Sequence, residues 1–121
     1  MKPANSQGII VGQFGDTQMR ALISAVFPDL DIRFNKLPGV HLAFDTINEL
    51  CRKAISQGDF RFLSKMFELL DSITRHPDVD KEIPNAVQIS FLVESDFESD
   101  NGKQAWNMIP ANLKALMKGA A

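Results

Sequence analysis

The sequence predicts an all-α protein: a compact bundle of four to six helices in which neighbouring helices form αα-hairpins. Three observations favour this fold class. Apolar residues recur every three or four positions through most of the chain, which is the period of an amphipathic helix. A helix C-terminal signal at Gly58 is followed at once by an N-cap signal at Asp59. The 121 residues are 45% hydrophobic and 23% charged, so we expect a single domain over residues 1–121 with its own core.

The first part of the chain combines an unpatterned arm with one short helix. Residues 1–15 are glycine-rich and lack a helical period, so we expect a flexible N-terminal arm. Asp16 or Thr17 is suited to cap the first helix, and Pro28 ends it. Apolar and charged residues then alternate over 30–34, which indicates a short extended segment or an irregular loop.

The clearest helical pattern lies between the Pro38-Gly39 turn and Gly58. Its apolar residues fall within about 140° of arc at 100° per residue, with Leu42 as an exception on the polar side. A third helix follows Asp59, and its wider apolar arc predicts contact with two neighbours. The apolar face of the second helix consists of Val40, Ala43, Phe44, Ile47, Leu50, Cys51, Ala54 and Ile55.

A fourth helix is predicted from Val79 to Phe91, capped by Asp78, because apolar residues recur at every fourth position. Pro84 lies inside this stretch and either kinks the helix or begins a second piece in its first turn. The segment 87–93 is also rich in β-formers, so a strand stays open there. We favour helix because the four-residue spacing continues from Val79.

The C-terminal part joins a turn-prone acidic segment, 94–102, to a short last helix that Pro110 opens. Trp106 lies between them. It either closes the core of the bundle or stands exposed as an interface anchor, and we favour the core.

Charge and cysteine content restrict the function classes. A net charge of −2 argues against a nucleic-acid binder that acts through general attraction to phosphates. The apolar run 9–11 is too short for a secretory signal, and no stretch approaches the length needed to span a bilayer. Cys51 is the only cysteine and falls on an apolar helix face. We therefore expect a cytoplasmic protein that does not enter membranes.

No motif for catalysis is present, so we predict no catalytic residue, no metal and no cofactor. His41, Asp45 and Glu49 share one helix face at a spacing of four, but this face lies opposite the core and is better explained as solvated. A second acidic cluster lies around a turn, where helix capping explains it better than a metal. It consists of His76, Asp78, Asp80 and Glu82.

The acidic segment is the candidate binding site. Glu94, Asp96, Glu98 and Asp100 place four carboxylates within seven residues, with Phe97 between them. One interpretation is a solvated loop. The functional interpretation is a docking surface for a basic protein, in which the carboxylates steer association and Phe97 anchors the interface.

The middle of the chain, from Leu37 to Phe97, resembles a family of small all-helical bacterial domains of unassigned function. Some members of that family are immunity proteins of polymorphic toxin and contact-dependent growth inhibition systems. The matching features are Leu37-Pro38, the helix Phe44 to Ile55, Gly58-Asp59, Phe67-Glu68-Leu69-Leu70 and the run from Asn85 to Leu92.

The resemblance implies a cytoplasmic immunity protein that binds and neutralises a cognate toxin domain, often a nuclease, by covering its active site. No catalytic residue is implied. Two alternatives stay open: a protein-interaction adaptor or regulator without a toxin partner, and a metal-dependent enzyme.

Overall fold

The computed structural model describes residues 14–30 and 39–118, and that part of the chain folds into six α-helices. No strand is present in these two ranges, where the only β-type pairing is an isolated bridge, so the predicted all-α class is confirmed. The elements are α1 (Asp16–Val26), α2 (Val40–Gln57), α3 (Phe60–Thr74), α4 (Glu82–Ser90), a 3₁₀ helix (Glu94–Phe97), α5 (Asp100–Met108) and α6 (Ala111–Met117).

Helices α2 and α3 form the predicted αα-hairpin. Gly58 ends α2 with φ of 68°, a left-handed conformation that glycine adopts without steric cost, and its amide donates to carbonyls of the last turn. Asp59 then caps α3, because its side chain accepts a hydrogen bond of 3.2 Å from the amide of Phe62. Both local signals therefore act as the sequence predicts.

Helix α2 is central to the core and packs against α3, α4 and α5. Phe91 contacts the rings of Phe44 and Phe67 edge to face, with centroid distances of 5.9 Å and 6.3 Å. Cys51 is fully buried, and burial raises the pKa of its thiol well above the ordinary value. It therefore packs as a small hydrophobe, as predicted.

The N-terminal end of the described chain is fixed to the α3–α4 connection. The amide of Phe14 donates to the carbonyl of Asp78, the amide of Asp80 donates to the carbonyl of Phe14, and both hydrogen bonds measure 2.8 Å. The ring of Phe14 also packs on His76 at 4.8 Å. The rest of the predicted arm, residues 1–13, lies outside the described residues, as does most of the segment predicted over 30–34.

Helix α1 begins differently from the prediction. Gly15 occupies the N-cap position, and Asp16 is the first helical residue instead of the cap. The amide of Gly15 donates to the side chain of Gln18 at 3.0 Å, so a residue of the first turn satisfies the amide of the N-cap residue. Asp16 instead pairs with the buried Arg20 at 2.8 Å, and Arg20 also donates to the carbonyl of Gly39.

Helix α4 is shorter than predicted at both ends. It begins at Glu82, whose amide donates to the side chain of Asp80 at 2.9 Å. Pro84 therefore falls in the first turn, where its missing N–H costs nothing. The helix ends at Ser90, and Phe91 is extended with ψ of 143°. Residues 87–90 are helical as predicted, whereas the prediction of helix for 91–93 was wrong.

Within the described residues, no helix is both long enough and apolar enough to cross a membrane.

Candidate protein-binding groove

An open groove of about 870 Å³ lies between the 3₁₀ helix, α5 and the end of α6. We call it the C-terminal groove. Its volume is in the range of roughly 300–1,000 Å³ that is typical of binding clefts. Two of the four carboxylates predicted to form a binding site, Glu94 and Glu98, line this groove, and both are exposed.

The floor of the groove is apolar and aromatic. Phe97 and Trp106 meet edge to face with ring centroids 5.1 Å apart, and both side chains are half-buried. Phe97 therefore forms part of the floor and does not project as a free anchor. Trp106 is likewise intermediate between the two predicted roles. The exposed apolar side chain at this site is that of Val93, which is 53% exposed and which sequence analysis did not single out.

Lysine side chains add positive charge to the groove. Lys103 from α5 and Lys118 from the end of α6 line it. Over the ring of Trp106 lie the ammonium groups of Lys114 and Lys118, at 5.0 Å and 5.4 Å from the centroid, which is a cation–π geometry. Sequence analysis did not single out Lys114 and Lys118, because only the packing of α6 brings them to Trp106.

Asp96 differs from its acidic neighbours because both of its carboxylate oxygens accept hydrogen bonds from other groups of the protein. Its Oδ1 accepts from Arg52 Nε at 2.9 Å, and its Oδ2 accepts from the amide of Val93 at 2.8 Å. The side chain of Asp96 is only 13% exposed, and its hydrogen bond raises the pKa of Arg52. Asp96 therefore positions the 3₁₀ helix and Val93 from the inner side of the groove wall.

The chain enters the groove wall at a break in helical structure that Asn48 stabilises. Asn48 is buried in α2, and its Nδ2 donates to the carbonyl of Ser90. Its Oδ1 accepts from the amide of Leu92 at 3.0 Å. His41 adds a hydrogen bond of 2.6 Å to the hydroxyl of Ser90. A single buried amide thus holds the chain on both sides of Phe91.

Gly102 allows α5 to lie directly against the 3₁₀ helix. A Cβ at this position would lie 2.6 Å from the carbonyl oxygen of Asp96 and 2.7 Å from Cα of Phe97. Ser99 caps α5 by accepting from the amide of Gly102 at 2.9 Å. The segment 94–102, which the sequence predicts to be acidic and turn-prone, folds into a 3₁₀ helix followed by the capped start of α5. Asp100, the first residue of α5, is exposed beside the groove wall.

The histidines of the two clusters form hydrogen bonds within the protein. His41 bonds to Ser90 as described, and His76 Nδ1 accepts from the amide of Asp78 at 3.0 Å. Within residues 14–30 and 39–118, no group of three or more His, Cys, Asp or Glu side chains is arranged to hold a metal ion.

Comparison with known families gives one match. Residues 20–120 match the family model described as Domain of unknown function (DUF7674), so the chain belongs to that family. No match was found among curated proteins or among solved structures.

Proposed function

We propose that this member of the family is a binding protein that neutralises a cognate toxin domain by docking it at the C-terminal groove. The observation that carries the proposal is the placement of two exposed carboxylates, Glu94 and Glu98, on the same groove as the exposed Val93. The groove therefore combines charged groups that can attract a partner with apolar surface that the partner can bury.

This combination has the composition of a protein interface. Interfaces place apolar and aromatic groups at their centre and charged groups at a solvated rim. Covering the exposed side chain of Val93 contributes roughly 1 kcal/mol, and the half-buried Trp106 adds further apolar surface. The carboxylates of Glu94 and Glu98 contribute mainly to the rate of encounter and to the choice of partner.

The toxin role is the specific form of the proposal, and the resemblance to immunity proteins supports it. A toxin that cleaves nucleic acid needs a basic surface to hold the phosphate backbone. Exposed carboxylates on the groove wall are complementary to such a surface, so docking there excludes the substrate without catalysis by this chain. The proposal places both proteins in the cytoplasm.

Charge reversal at the groove tests the proposal. We expect the double variant Glu94→Lys, Glu98→Lys to associate with the partner about tenfold more slowly at low salt, because a repulsive wall replaces an attractive one. The measurement is the association rate by surface plasmon resonance over a salt series. The partner is the product of the neighbouring reading frame, chosen because it is lethal unless this chain is co-expressed.

The matched control is Glu49→Lys, Glu68→Lys, which changes the net charge equally at exposed positions of α2 and α3 outside the groove. This control should keep most of the wild-type rate. Equal slowing of both variants would show that net charge, and not the groove, governs the encounter. A neighbouring product that is harmless to cells would favour an adaptor or regulator instead.

A further inference from the structure

The two signs of charge in the C-terminal groove come from different elements. The 3₁₀ helix and the residue after it contribute Glu94 and Glu98, whereas α5 and the end of α6 contribute Lys103 and Lys118. A uniformly basic partner surface would meet repulsion from the lysines. A partner element complementary to all four residues carries cations where it meets Glu94 and Glu98 and anions where it meets Lys103 and Lys118.

The backbone of the groove wall is already hydrogen-bonded, which disfavours recognition by an added strand. The amide of Val93 donates to Asp96 Oδ2 and its carbonyl accepts from the amide of Asp96, both at 2.8 Å. The amide of Leu92 donates to Asn48. A partner strand would have to break these bonds before it could pair with these groups, which favours recognition through side chains.

The size and the apolar lining of the site suit one face of a helix. The groove is open, has a volume of about 870 Å³, and its apolar lining includes Val93 and Trp106. A helix has a diameter of about 10–12 Å with its side chains, and its residues at positions i, i+3, i+4 and i+7 form one apolar stripe. Residues beside that stripe project sideways and can meet the charged groups that line the groove.

We infer that the partner element seated in the C-terminal groove is an amphipathic helix. Its apolar stripe lies on Val93 and Trp106, a cationic flank faces Glu94 and Glu98, and an anionic flank faces Lys103 and Lys118. This inference rests on the proposed function, because it names the element by which the partner docks. Binding by such a helix draws the ammonium group of Lys118 from the ring of Trp106 towards the anionic flank.

Trp106 provides the readout, because it is the only tryptophan in the chain and the chain has no tyrosine. The probes are three synthetic helices of about 18 residues, or five turns, each with the same leucine stripe and stapled to equal helicity. One carries lysines on one flank and glutamates on the other. The second carries lysines on both flanks, and the third carries glutamates on both.

The two-sided peptide is expected to change Trp106 emission at a concentration about tenfold lower than either one-sided peptide. The protein variant Lys103→Glu, Lys118→Glu should reverse this order in favour of the all-lysine peptide. The control Lys53→Glu, Arg61→Glu, at exposed positions outside the groove, should preserve it.

Equal or tighter binding of the all-lysine peptide to the wild-type protein would overturn the two-sided inference. If no peptide bound while the native partner kept its dependence on Glu94 and Glu98, the helix inference would fail and the proposed function would stand. If the native partner also lost that dependence, both would fail.

Discussion

Replacing Gly102 by alanine is expected to destabilise the protein by about 2 kcal/mol, although alanine favours helices over glycine by about 1 kcal/mol. The added Cβ would lie 2.6 Å from the carbonyl oxygen of Asp96 and within 2.8 Å of the backbone of Phe97. These are backbone atoms, so α5 and the 3₁₀ helix must separate to relieve the contact. Urea unfolding followed by circular dichroism measures the change.

The sign of this change is diagnostic. If space were available at Gly102, the helix preference of alanine would stabilise the protein. A higher urea midpoint for Gly102→Ala would therefore contradict the close packing of the groove wall. Gln104→Ala, at an exposed position of the same helix, serves as the control and should change the free energy of unfolding by less than about 0.5 kcal/mol.

Replacing Asn48 by leucine is expected to cost about 3 kcal/mol. The variant keeps the branching and the number of heavy atoms of the side chain but removes the amide donor and acceptor that hold the chain after α4. The carbonyl of Ser90 and the buried amide of Leu92 lose their hydrogen bonds, and each unsatisfied group costs about 1–3 kcal/mol. The urea midpoint measures the loss, and the emission of Trp106 reports whether the groove is disturbed in the native state.

Asn112→Leu is the comparison for Asn48→Leu, because Asn112 is an exposed asparagine of α6. It should leave the free energy of unfolding within about 0.5 kcal/mol of the wild-type value. An Asn48→Leu variant as stable as the wild type would mean that the amide does not hold the chain at the end of α4. Other contacts would then have to position the groove wall.

The sequence predicts correctly those helices whose ends and buried faces are determined by residues within the helix or next to it. Gly58 and Asp59 set the boundary between α2 and α3 by their own conformation and side chain. The apolar stripe of α2 is likewise a local property, and Leu42, placed on the polar side, is 44% exposed.

The end of α4 could not be predicted because a distant residue sets it. Residues 87–93 are compatible with helix and strand, and the break after Ser90 depends on Asn48 in α2. Sequence periodicity alone places Asn48 outside the apolar arc of its helix. In the sequence, an asparagine whose side chain bonds to another segment cannot be distinguished from one that faces solvent. The difference arises only when the helices pack together.

The candidate site could be predicted only in part, because tertiary contacts also determine the roles of its residues. Glu94 and Glu98 are exposed as expected, but Asp96 binds Arg52, which lies on α2. Nothing local distinguishes Asp96 from the carboxylates beside it. The lysines of α6 reach Trp106 only through tertiary packing. A segment that seemed uniformly acidic thus lines a groove with charges of both signs.

Photocrosslinking from Val93 tests directly whether the partner docks at the C-terminal groove. The photoreactive amino acid p-benzoylphenylalanine replaces Val93, which is 53% exposed, and in a separate variant it replaces the exposed Arg61 of α3. We expect irradiation with the partner to give a one-to-one covalent adduct from position 93 and none from position 61. An adduct from position 61 alone, with binding intact in both variants, would place the interface elsewhere and contradict docking at the C-terminal groove.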